Sequence, residues 1–122
     1  MLTREGNIEV NVGDKVYGFR FTTWGMKETQ KSTGCKGILE LFTKIGLDDS
    51  NIDLDSFIIL MMEAAKEYAY YTKKEIEITP RIVSGWIDDM GGVVNSLNLL
   101  TEGLKQFLPK NLEPPMTGET SI

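Results

Sequence analysis

The chain opens with two short segments in which apolar and polar residues alternate around the dipeptide Gly13-Asp14. Alternation with a period of two is typical of β-strands, and the dipeptide predicts a two-residue hairpin turn. This turn sets three cross-strand pairs, which are Val12 with Lys15, Val10 with Tyr17, and Ile8 with Phe19. The register places every large apolar residue of both strands on one face. Because a two-stranded ribbon is only marginally stable alone, helices from the rest of the chain must cover that face.

The sequence after the hairpin is typical of helices, with capping residues and apolar residues at helical spacing. The first three predicted helices span about 23–33, about 36–45, and Leu54 to about Lys73. A fourth starts at Thr79-Pro80 and breaks at Gly91-Gly92, and a fifth carries Val93 to Phe107 and ends at Pro109. The third is apolar around most of its circumference, with a narrow polar seam that includes Ser56. A helix of this kind is central to a core or shared with a partner.

These elements predict an α+β fold in which an N-terminal β-hairpin packs on a bundle of about five helices. The length of 122 residues suits one domain, which we place at residues 1–109. Residues 110–122 offer little to bury and are expected to form a flexible C-terminal tail. The pattern leaves open whether the hairpin lies on the third helix or on the fifth.

Charge and apolar content limit the classes of partner. The net charge of −5 disfavours binding to nucleic acid or to an anionic membrane, and it suits a partner with a basic surface. The longest apolar run, Phe57 to Met62, is too short to span a bilayer. The single Cys35 cannot form an intramolecular disulfide, and the N-terminal residues lack the pattern of a signal peptide. We therefore expect a protein that works in the cytoplasm.

Residue types that support catalysis are scarce, because the sequence contains no histidine. That removes the usual general base and the commonest zinc ligand, so we expect no enzyme activity, metal or cofactor. The segment Gly34-Cys35-Lys36-Gly37 lacks the spacing of a phosphate-binding loop, and Gly34 is better explained as a helix end. Asp49, Asn51 and Asp53 alternate as in a calcium loop, but Leu54 stands where that loop requires Gly.

Glu63 and Glu67 lie one turn apart on the third helix. They support an alternative hypothesis, that the chain is a ligand-binding or catalytic domain. Paired carboxylates can bind a metal or transfer protons. The neighbouring Lys66, Lys73 and Lys74 favour a solvated helix face instead.

The large aromatic residues divide into a core candidate and surface candidates. Trp86 lies on the apolar side of the fourth helix, and Trp86→Ala is expected to cost about 3–5 kcal/mol of stability. Tyr70 and Tyr71 adjoin Tyr68 but point away from the main apolar stripe. With Trp24, they are candidates for a partner-binding surface, because tyrosine and tryptophan are favoured at protein interfaces.

The order of elements is similar to that of a known family. The segment from Ile8 to Phe21 leads through Thr22-Thr23-Trp24 into a polar helix that ends at Thr33-Gly34, and this resembles the start of phage tail assembly chaperones of siphophages and prophages. The later segment Ile82 to Asp89 resembles their late helix, in which a Trp is followed by acidic residues. The resemblance covers about residues 7–108 as a pattern of elements.

The resemblance implies a non-enzymatic chaperone in a bacterial host cytoplasm. Members of that family bind the tape measure protein, keep it soluble and help tail tube subunits assemble around it. Many are also produced as a longer, frameshifted product. The alternative is a small phage structural protein, such as a head–tail connector or a tail completion subunit.

Overall fold

The computed structural model describes residues 7–45 and 52–105. It contains an antiparallel hairpin followed by five helices among these residues. The strands are β1 (Asn7–Val12) and β2 (Lys15–Arg20), and the helices are α1 (Thr23–Thr33), α2 (Ile38–Lys44), α3 (Leu54–Thr72), α4 (Pro80–Asp89) and α5 (Val93–Leu104). The α+β prediction is confirmed.

The hairpin has the predicted register, with all three expected pairs in place. Gly13 has a φ of 62°, which the tight turn requires and which glycine adopts at little cost. Four alternating residues form the buried face, namely Ile8, Val10, Tyr17 and Phe19. The prediction that all large apolar residues share this face is wrong for Val16, which points the other way and is 53% exposed.

Helices α4 and α5 cover the buried face of the hairpin. The ring of Trp86 from α4 stacks on Tyr17 with the centroids 4.9 Å apart and meets Phe19 edge-on at 6.1 Å. In α5, Gly103 lies so close to Ile8 and Phe21 that a Cβ there would overlap both side chains. Glycine therefore lets α5 approach the hairpin closely.

Helix α3 covers the opposite face of the hairpin at Gly18. The ring of Tyr68 occupies the space where a side chain at position 18 would stand. The Tyr68 hydroxyl donates a hydrogen bond of 2.7 Å to Glu9, the cross-strand partner of Gly18. The hairpin thus packs on both helices that the sequence left as alternatives, one on each face.

Side chains cap the starts of three helices. The side chains of Thr22, Asp53 and Thr79 accept hydrogen bonds from backbone N–H groups in the first turns of α1, α3 and α4. These contacts satisfy donors that a helix N-terminus otherwise leaves unpaired. Gly34 ends α1 with a φ of 76°, and Cys35 behind it is buried as a packing residue.

Several burial predictions need correction. Ser56 is 2% exposed rather than wet, because its hydroxyl donates to the capping carboxylate of Asp53 at 2.6 Å. Leu54 begins the largely apolar third helix but is 55% exposed, since it stands at the first position of α3. Trp86 is partly buried rather than fully enclosed. Phe107, Pro109, Asp49, Asn51 and the predicted tail lie outside the described residues.

Ser96 offers a test of packing within α5. Its side chain is fully buried, and its hydroxyl has no hydrogen-bond partner among the described residues. We expect Ser96→Ala to raise the free energy of unfolding by about 0.5–1 kcal/mol, because it removes an unsatisfied polar group and alanine favours helix. Urea unfolding of both proteins checks this expectation. A loss of stability on substitution would show that the hydroxyl is satisfied in solution.

Candidate protein-binding site

The candidate site forms where α1 crosses α3 at Gly25. A Cβ added at Gly25 would lie 3.2 Å from Cγ of Glu67, so the two helices are in close contact there. The hydroxyl of Thr22 donates to Oε1 of Glu67 at 2.7 Å and accepts from the N–H of Gly25 at 2.9 Å. This chain of hydrogen bonds fixes the Glu67 carboxylate against the start of α1.

Beside this crossing lies an open surface depression of about 410 Å³, which we call the aromatic hollow. Its lining residues are Trp24, Glu67, Tyr70 and Tyr71. The three aromatic side chains are 58%, 74% and 51% exposed in that order. They are the three residues that the sequence singled out as candidates for partner binding, and the structure brings them together.

The rings of the aromatic hollow contact each other and two cations. Tyr70 meets Tyr71 edge-on, with the ring centroids 5.2 Å apart. The guanidinium of Arg20 lies 4.1 Å from the centroid of Tyr71, and Nζ of Lys27 lies 3.8 Å from that of Trp24. Both distances are within the range of cation–π attraction. These contacts hold the exposed rings in defined positions.

Glu67 also lines the aromatic hollow, although the sequence pattern favoured a place for it on a solvated helix face with Glu63. It precedes Tyr70 by three residues and Tyr71 by four, a spacing that places all three on one face of a helix. This spacing is the sequence signal that could have placed Glu67 in the same site as the two tyrosines. The contribution of Trp24 depends on the crossing of α1 and α3, which no local pattern encodes.

The acidic pair on α3 is not the fully solvated face that the sequence favoured, because Glu63 and Glu67 are both partly buried. Burial raises the pKa of Glu63, with smaller contributions from the negative charges of Glu28 and Glu67, whereas Lys66 lowers it. The described residues contain no group of three or more His, Cys, Asp or Glu side chains placed to hold a metal ion.

The raised pKa of Glu63 predicts a pH dependence of stability. The folded state binds this proton more tightly than the unfolded state, whose pKa is near 4.5. Glu63 therefore contributes a destabilisation that is absent below pH 4.5 and develops as the pH rises through the higher pKa of the folded state. Glu63→Gln should be more stable than wild type at neutral pH, and the difference should vanish in acid.

Urea unfolding of wild type and Glu63→Gln across this pH range measures the effect. Glu75→Gln, which removes one exposed carboxylate after α3, is the matched control for the loss of a negative charge. If wild type and Glu63→Gln show the same dependence of unfolding free energy on pH, the raised pKa of Glu63 is contradicted.

The two buried tyrosines that donate to carboxylates belong to the scaffold. Burial raises the pKa of Tyr68 to about 12, and the hydrogen bond to Glu9 adds to the shift. The hydrogen bond to Asp89 raises the pKa of Tyr17, with burial contributing further. Both phenols are therefore protonated donors at neutral pH and tie the hairpin to α3 and α4.

Comparison with known proteins adds no relative to this description. No family model matches the chain, and no curated protein or solved structure does so either.

In the part of the chain that the structure describes, no helix is both long and apolar enough to cross a membrane.

Proposed function

We propose that this chain is a non-enzymatic, protein-binding phage tail assembly chaperone. In this proposal it binds the tape measure protein in the bacterial cytoplasm and assists the assembly of tail tube subunits. The observation that supports it most is the convergence of Trp24, Tyr70 and Tyr71 in one exposed hollow. Tyrosine and tryptophan dominate the energetics of protein interfaces, because each combines a large apolar surface with a polar group.

The form of the aromatic hollow favours a polypeptide over a small molecule. Small-molecule sites bury most of the surface of their ligand in a cleft. Here each aromatic side chain is at least half exposed, so a ligand lying on them would itself keep much of its surface in solvent. A polypeptide that continues beyond the hollow gains contacts on the surrounding surface. The net charge of −5 also favours a basic client.

The resemblance to tail assembly chaperones supports the identity of the client. The residues that carry it include the hairpin and α1, and α1 also supplies Trp24 to the aromatic hollow. The segment of the chain that suggests the family is therefore also one of the two that build the candidate surface.

Co-expression with the phage tape measure protein that is the proposed client tests the proposal. We expect the wild-type chain to increase the soluble fraction of the tape measure protein and to co-purify with it. The triple variant Trp24→Ala/Tyr70→Ala/Tyr71→Ala should lose both effects. Val94→Ala, at a residue of α5 that is 63% exposed, should retain them. Unchanged tape measure solubility with the wild-type chain would contradict the proposal.

Analysis of purified virions separates this proposal from the alternative of a head–tail connector or tail completion subunit. An assembly chaperone is released before the particle is complete, so immunoblots of virions should not detect it. Stoichiometric retention in the particle would instead establish the structural role.

A further inference from the structure

We propose that the aromatic hollow receives a basic side chain, lysine or arginine, from the partner polypeptide. This inference rests on the proposed function, because it concerns the same surface, and it adds the chemistry by which that surface selects a partner. The recognition would combine aromatic ring faces with the carboxylate of Glu67.

The aromatic rings supply the first part of this recognition. A cation over the face of Trp or Tyr is attracted by the ring quadrupole, and aromatic cages that bind cationic groups use the same effect. In this structure Trp24 and Tyr71 already attract cations of the chain itself, Lys27 at 3.8 Å and Arg20 at 4.1 Å. Tyr70 is 74% exposed, and no cation of the described residues lies over its ring, so the ring is accessible to an incoming one.

The carboxylate supplies the second part. Glu67 lines the hollow and is held in place by the hydroxyl of Thr22, so little side-chain entropy is lost when a ligand pairs with it. Glu63 and Glu28 lie close enough to interact electrostatically with each other, and Glu63 also interacts with Glu67. Three cations of the chain, Arg20, Lys27 and Lys66, also lie around this surface, so the attraction for an incoming cation comes from the Glu67 carboxylate that lines the hollow. The same carboxylate would repel an acidic peptide.

The shape of lysine and arginine side chains fits both parts. Their aliphatic stems cover apolar surface while the charged group remains at a polar position. In the aromatic hollow the stem would lie on the tyrosine rings and the cation would reach Glu67. A neutral aromatic or aliphatic side chain would use the rings but leave the carboxylate unused, so the contribution of Glu67 separates the two occupants.

Three capped, helix-forming peptides of identical length are the probes. The first has two lysines spaced four residues apart, the second has glutamine at both positions, and the third has glutamate at both positions. Binding to the full chain is followed by NMR through the indole N–H of Trp24. We expect the lysine peptide to shift this signal and the glutamate and glutamine peptides to leave it unchanged at the same concentration. The lysine peptide should also bind less tightly at high salt.

Variants identify the groups responsible. Glu67→Gln keeps an oxygen that can accept from Thr22 but removes the charge, and it should weaken binding of the lysine peptide about fivefold. Trp24→Ala should weaken it by a similar factor, with binding followed by calorimetry because the indole signal is lost. Val94→Ala should change the affinity less than about twofold. Equal binding of the glutamine and lysine peptides, or an affinity that Glu67→Gln does not change, would overturn the inference.

The two proposals fail in different ways. If the Glu67→Gln variant still solubilises the tape measure protein at wild-type yield, the chaperone function stands and selection of a basic side chain is wrong. If the lysine peptide binds the aromatic hollow but the tape measure protein does not associate with the chain, the recognition chemistry stands and the proposed client is wrong.

Discussion

Gly18→Ala is expected to lower the free energy of unfolding by about 3 kcal/mol, a large effect for the addition of one methyl group. The new Cβ would stand 2.2 Å from the ring of Tyr68, far inside van der Waals contact. The ring cannot simply move aside, because Tyr68 is 6% exposed and its hydroxyl is bonded to Glu9. Relief of the overlap must therefore separate α3 from the hairpin or break that hydrogen bond.

Denaturant unfolding measures the loss, with Gly85→Ala as the matched control. Gly85 lies within α4, and an added Cβ there meets no atom within 4 Å. This control should gain about 0.5–1 kcal/mol, because alanine is the better helix former. In a Tyr68→Ala background, Gly18→Ala should cost much less, since the overlapping ring is absent. Equal effects of Gly18→Ala in both backgrounds would contradict the packing described here.

Trp86→Ala is expected to cost about 3 kcal/mol, at the lower end of the range for removal of a core tryptophan. The side chain contributes a stacked contact with Tyr17 and an edge contact with Phe19, and it closes the buried face of the hairpin. It is only partly buried, so part of its surface is in solvent before and after unfolding. Because of this partial burial, the expected loss of stability is smaller than for a fully enclosed ring.

The second tryptophan is the natural control for this prediction. Trp24 is 58% exposed and its ring contacts the ammonium group of Lys27, so Trp24→Ala should cost less than about 1 kcal/mol. Urea unfolding of both variants gives the comparison. Similar losses from the two substitutions would mean that Trp86 does not hold the hairpin against α4.

The elements that depend on short-range interactions could be predicted from the sequence. The period of two and the Gly13-Asp14 turn determine the hairpin register, since a slip by one residue would turn the apolar set outward. Thr22, Asp53 and Thr79 determine the starts of three helices through hydrogen bonds that span three residues. These interactions are complete within a few residues and can be read from the sequence.

The errors and omissions arise from contacts between distant segments or from the details of helix ends. The sequence pattern could not show that Tyr68 packs on Gly18, because these residues lie on different elements joined only in the fold. For the same reason, the sequence could not show that Trp24 of α1 lies beside Tyr70 and Tyr71 of α3. Ser56 was assigned to solvent because its bond to the capping Asp53, which makes its burial tolerable, was not anticipated.

Site-specific photo-crosslinking tests most directly whether the aromatic hollow is the surface that holds the client. Tyr70→p-benzoylphenylalanine places the reactive group in the hollow, and Val94→p-benzoylphenylalanine places it on the exposed side of α5. During co-expression, irradiation should link the chain to the tape measure protein from position 70 and not from position 94. Crosslinks from position 94 alone, or from neither position in cells where the tape measure protein is made, would contradict our account.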